Sequence, residues 1–148
     1  MQEGYTNICA ACRKSAQLTQ EHWAEVLRVS VETVKAWEGN HRIPDNYHVC
    51  LMVTACGDTW YAYKHLLQTS DSLNVLPDMK RQPLPLAVIQ LVNRIIGFAD
   101  RNRDKQLLRI AEDGVIDKEE RPAYDQIVAE LNEIIAAAYT LRYAEDAV

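Results

Sequence analysis

The stretch Leu18-Thr19-Gln20-Glu21-His22-Trp23-Ala24-Glu25-Val26-Leu27-Arg28-Val29-Ser30-Val31-Glu32-Thr33-Val34-Lys35-Ala36-Trp37-Glu38-Gly39-Asn40 decides the fold. It encodes two short helices in close succession. Thr19 is suited to cap the first, because its side-chain oxygen can accept a free N–H of the opening turn, and Trp23, Ala24, Val26 and Leu27 form the apolar stripe behind it. Ser30 caps the second. Val31, Val34 and Trp37 then recur at three-residue spacing until Gly39-Asn40 supplies a stop of the kind that tolerates positive φ.

The same reading extends to both sides. Upstream, Ile8, Cys9 and Cys12 give the stripe of a helix ending near Ala16. Downstream of Pro44, Val49, Met52, Val53 and Cys56 mark a fourth helix ending at Gly57, and Trp60 to Leu67 makes a fifth. Gln68 to Pro85, with Pro77, Pro83 and Pro85, reads as a linker, because each proline restricts its predecessor and resists helix continuation. From Leu86 to Glu112, Ile89, Val92, Ile96 and Ala99, then Leu107, Leu108 and Ile110, fit one long helix or one interrupted at the polar run Asp100 to Lys105. Asp117 with Glu120 forms a capping box ahead of Pro122 and a last helix reaching Tyr143, with the stripe Ile127, Leu131, Ile134, Ile135, Ala138 and Leu141. With five Gly, five Pro and 48% hydrophobic residues in 148, the chain reads as an all-α protein with enough apolar material for a core. Its expected organisation is a five-helix domain over 1–68, a linker over 69–85 and a helical hairpin over 86–148.

The quoted stretch, followed by Arg42-Ile43-Pro44, resembles the phage-repressor (Cro/repressor, XRE) helix-turn-helix family. Gln20 and Ala24 match the Gln-x-x-x-Ala of that motif, Val29-Ser30 the turn into its recognition helix, and Trp37-Glu38 through Pro44 its exit. The resemblance covers residues 5 to about 67. Residues 86–148 are similar to an uncharacterised helical extension, through Glu112-Asp113-Gly114-Val115-Ile116-Asp117 and Glu119-Glu120. The resemblance implies a repressor-like helix-turn-helix fold and a cytoplasmic, sequence-specific regulator of transcription that represses by occupying an operator on double-stranded DNA. Carried over by position, Gln20 would hold a phosphate through side chain and backbone N–H. Ser30 would cap the recognition helix at the groove, Val31, Glu32, Lys35 and Ala36 would face base edges, and His41 and Arg42 would hold the backbone beyond it. Arg13 and Glu38 would form a partly buried structural ion pair. Arg28 stands where the family usually has Gly, so the turn is either reshaped or strained.

Charge qualifies this reading. Residues 1–68 hold six basic and seven acidic side chains and residues 69–148 ten and fourteen, so the N-terminal part is near neutral and the acidity lies mostly beyond it. Weak attraction to phosphate per monomer makes dimerisation valuable. The apolar stripe of the last helix (Ile127, Leu131, Ile134, Ala138) makes the C-terminal helices the expected homodimer interface. The rival reading is a protein-interaction module, an antitoxin or phage adaptor that retains the fold.

Other chemistries find little footing. Cys9-x-x-Cys12 with Cys50 and Cys56 is read as buried, reduced thiols on helix stripes and not as a zinc site, and His22, His41, His48 and His65 as surface or capping residues. Asp100-x-Asn102-x-Asp104 lacks the glycine and the bidentate glutamate of a calcium loop, having Lys105 and Ala111 there. No catalytic residues, metal, cofactor or small-molecule substrate is expected. With neither a basic-apolar leader nor an apolar run of membrane-spanning length, no membrane role is expected either.

Overall fold

A computed structural model describes residues 7–70 and 73–145; the first two residues of the resemblance, part of the expected linker and the last three residues of the expected hairpin lie outside these. The described residues are all-helical. In chain order the helices are α1 (Ile8–Ser15), α2 (Gln20–Leu27), α3 (Val31–Glu38), α4 (Asn46–Cys56), α5 (Trp60–Thr69), α6 (Leu84–Asp100), α7 (Arg103–Ile110) and α8 (Arg121–Arg142). They form two compact units that divide after Leu76.

In the first unit, α1 to α5 enclose Ile8, Cys9, Cys12, Trp23, Ala24, Leu27, Val34, Trp37 and Met52. The indole N–H of Trp23 is fully buried and donates to Cys9 Sγ at 3.4 Å, so the largest core side chain leaves no polar atom unsatisfied. Asn7, Thr19, Ser30 and Asp45 each cap a helix through a side-chain oxygen. The other ends are less expected. After α1, α2 and α3 the chain closes with paired bonds: Leu18 N–H to Arg13 O with Gln17 N–H to Lys14 O, Val29 to Ala24 with Arg28 to Glu25, and His41 to Ala36 with Asn40 to Trp37. This is the Schellman arrangement, and its left-handed residue is Gln17, Arg28 or Asn40, never Gly. Arg28 at φ 57° therefore keeps the expected turn and bears strain of about 1 kcal/mol. Gly39 stays at negative φ, and the positive φ falls on Asn40.

Three orientations differ from the sequence reading. Val26, placed on the α2 stripe, is exposed. Cys50 is exposed while Val49 and Met52 are buried, because α4 is apolar nearly all round and its stripe alone does not say which face turns inward. His65, read as a surface residue, is buried on α5 and bonds Asn46 Oδ1 through Nε2 at 3.2 Å, leaving Nδ1 without a partner among the described residues.

In the second unit, α6 packs along α8. The interruption falls at Arg101-Asn102, where Asn102 takes φ 54° and starts α7. Glu130 of α8 spans this break, accepting from Arg101 at 3.0 Å and Arg103 at 2.8 Å. The capping box forms: Asp117 Oδ1 accepts from the Glu120 N–H at 2.8 Å, and Glu120 returns a bond to the Asp117 N–H at 3.3 Å. Much of the expected linker is built into this unit. Met79 is buried and receives a bond from the Thr140 hydroxyl, Arg81 donates to Tyr143 O at 2.8 Å, and Gln82 and Leu84 pair with Glu145. The expected exposed stripe of α8 is also partly inverted. Ile127 is fully buried, Leu131 and Ile134 are half-buried, and the large apolar exposure lies on α6. Among the described residues no helix is long and apolar enough to cross a membrane.

Candidate nucleic-acid interface

α3 is fixed on one side and open on the other. Val34 and Trp37 are buried in the core. At about 100° per residue, Lys35, Glu32 and Ala36 then fall on one contiguous arc of about 100° facing away from that core, while Val31, at its edge, packs against the core. Glu32 and Lys35 are exposed, and Val31 and Ala36 are half-buried. Ser30 begins the helix. Its hydroxyl oxygen accepts the Thr33 N–H at 3.2 Å and lies 3.0 Å from Thr33 Oγ1. His41 and Arg42 are exposed just past the other end, on the turn closed by Asn40. The structure thus groups Ser30, Val31, Glu32, Lys35 and Ala36 along one short helix, with His41 and Arg42 beside its C-terminus.

Two devices hold the C-terminal end of α3. Arg13 Nε donates to Glu38 Oε1 at 2.6 Å and Nη2 to Oε2 at 3.2 Å, a two-pronged pair of which little is exposed. Burial raises the Glu38 pKa, but hydrogen bonds from Arg13 and Gln20 outweigh it and hold the carboxyl below its ordinary value. The same bond, against a smaller opposing effect of burial, raises the Arg13 pKa. Arg13 also donates to Leu18 O at 2.9 Å, so one guanidinium joins α1, the turn into α2 and the end of α3. Gln20 belongs to this network. Its amide N–H donates to Glu38 Oε2 at 2.8 Å, and as the first residue of α2 its backbone N–H has no intrahelical acceptor.

The second device is Asn7, which the sequence reading did not single out. Its carboxamide nitrogen donates to Trp37 O at 2.7 Å and Glu38 O at 2.9 Å and lies 2.7 Å from Asn40 Oδ1, while its oxygen caps α1 by accepting the Ala10 N–H. Helix-terminal carbonyls have no intrahelical donors, so Asn7 fills that need and fastens the start of α1 to the end of α3. Its cap position ahead of the first stripe was legible; a partner some thirty residues away carries no local signal.

The arc has nearly balanced charge. On α2, the Glu21 carboxyl is held below its ordinary value by its own backbone N–H, by the Thr19 hydroxyl and, less strongly, by the charge of Lys35. Elsewhere the chemistry is quiet. Burial pushes the Cys9 thiol up to about 11 and the Cys12 thiol higher, so both stay protonated and unreactive near neutrality. Among the described residues no three His, Cys, Asp or Glu side chains converge as a metal site would require. No protein-family model matches the chain, and neither a curated protein nor a solved structure matches it.

Proposed function

We propose that the chain is a sequence-specific DNA-binding regulator of transcription of the repressor helix-turn-helix type, acting as a homodimer on a pseudo-palindromic operator. The observation that carries this reading is the outward arc of α3: Glu32, Lys35 and Ala36, with Val31 at the edge, on a helix whose inner side is fixed by Val34 and Trp37 and whose end is pinned by Asn7 and Glu38. A helix of that width fits a major groove of about 12 Å. Lys35 would donate to guanine O6 or N7, Glu32 would accept from cytosine N4, and Val31 would touch a thymine methyl. Arg42 and His41, with the backbone N–H of Gln20, would hold phosphates. The Gln20 amide, engaged by Glu38, supports the helix itself.

Selection of bound DNA from a random pool at low salt tests this. An enriched palindrome is expected; no enrichment would favour the protein-interaction reading. On the selected site, Lys35→Ala should cost about 1–3 kcal/mol and relax one base position, whereas Arg42→Ala should weaken all sequences alike and reduce the salt slope by about 1. Both side chains are exposed, so neither change should alter folding.

A further inference from the structure

The outer face of α6 carries the largest run of exposed apolar side chains in the described chain. Val88, Ile89, Val92, Ile95 and Ile96 are each between 39% and 56% exposed. With Pro85 and Ala99, also exposed, they are spaced three and four apart, the a, d and e positions of a heptad. Together they form a strip about 21 Å long and free of charge. The opposite side of the same helix buries Ala87, and Arg94 there pairs with Glu133 of α8. A heptad seam is the imprint of another helix, and nothing on this strip would grip a charged one.

We propose that this strip is the contact between two copies of the chain, with α6 packed antiparallel on α6 about a two-fold axis at Val92. This rests on the dimer of the reading above and names its surface. In that register Val88 meets Ile96 and Ile89 meets Ile95 of the second copy, large against large, while the narrower Pro85 and Ala99 face one another at the ends. Such self-matching is what a two-fold interface demands. Charge agrees as well. Asp100, just beyond the strip, falls beside Leu84 at the N-terminus of the opposing helix, where the helix dipole favours a carboxylate. Along the strip itself the two copies bring no charged side chain into contact.

Sedimentation equilibrium of the full chain and of Val92→Glu tests the proposal. The wild type should be a dimer that dissociates on dilution, and Val92→Glu, which sets two carboxylates against each other at the axis, a monomer with unchanged far-ultraviolet circular dichroism. A monomeric wild type at all concentrations, or a Val92→Glu dimer, would overturn it. Should Val92→Glu fail to fold, Val92→Cys in a Cys50→Ser background decides: oxidation should join two chains at this position and not in the matching Asn132→Cys control on α8. Absence of that cross-link rejects the register. DNA selection is read separately, so a dimer that enriches no sequence would sink the DNA reading and leave this interface standing.

Discussion

The two units of this chain solve the problem of burying apolar surface in opposite ways. The first closes on itself: Ile8, Trp23, Leu27, Val34 and Met52 are all almost completely buried beneath five short helices. The second has two longer helices, but among its described apolar residues it buries only Met79, Ala87, Ile110, Ile127 and Ala137, with a row of valines and isoleucines left on α6. Helix length is thus no measure of self-sufficiency. Short helices crossing at several angles enclose a core, whereas two long ones side by side leave each with a second face.

The sharpest way to break this contrast is to open the first core. Trp23→Ala should cost about 3–5 kcal/mol, read as a lowered denaturant midpoint. All three tryptophans, Trp23, Trp37 and Trp60, belong to the first unit, so fluorescence follows that unit alone while circular dichroism follows both. The two transitions should not coincide, and only the one missing from fluorescence should move with protein concentration, since association stabilises what it covers. Coincident, concentration-independent curves would erase the distinction.

Next in size is the Arg13–Glu38 pair. Arg13→Ala alone should cost about 1–3 kcal/mol, because it strands a carboxylate of low exposure, and removing both partners should cost less than the two single changes summed. A double-mutant cycle in urea checks this; simple additivity would mean the pair is not coupled. Smaller and of opposite sign, Arg28→Gly should stabilise by about 0.5–1 kcal/mol, because the exposed arginine sits in a left-handed conformation that glycine adopts freely. A melting temperature that falls would show that the arginine makes up for its strain elsewhere.

The smallest effect is one of pH. Burial holds the His65 pKa below its ordinary value, so folding favours the neutral ring. Its contribution is complete above the unfolded value of about 6.5 and is lost as pH falls through the lower folded value. Fluorescence-detected melts between neutral and mildly acid pH should show this loss in the wild type and a flatter profile in His65→Gln. Glu38 acts in a lower window. Its depressed pKa stabilises above the ordinary carboxylate value and ceases to do so as pH falls through the folded one.

How much of this was legible in the sequence depended on whether the signal was local. Caps at Thr19 and Ser30, the stop at Gly57 and the Asp117–Glu120 box are contained within a few residues and lie where the chain spells them. The left-handed ends at Gln17 and Arg28 were less legible because no glycine marks them. The facing of α4 was hidden because an almost wholly apolar helix has no contrast between its sides, which misplaced Cys50. For the candidate interface, the α3 arc follows from spacing once Val34 and Trp37 are known to point inward. The double anchorage by Asn7 and the capture of the Gln20 amide by Glu38 depend on helices meeting across long separations, which periodicity does not encode.

Glu130 gives the second unit a rivet. One carboxylate accepts an arginine from each side of the Asn102 bend, and those bonds, Arg103 first, hold its pKa below the ordinary value. Straightening α6 into α7 would pull Arg101 and Arg103 apart and strand one of them. The bend ends α6 one residue after Ala99, the last residue of its apolar row, and swings the charged Arg103–Arg109 segment out of line with it. A single glutamate on the neighbouring helix thus holds the joint at which an apolar helix face gives way to a charged segment.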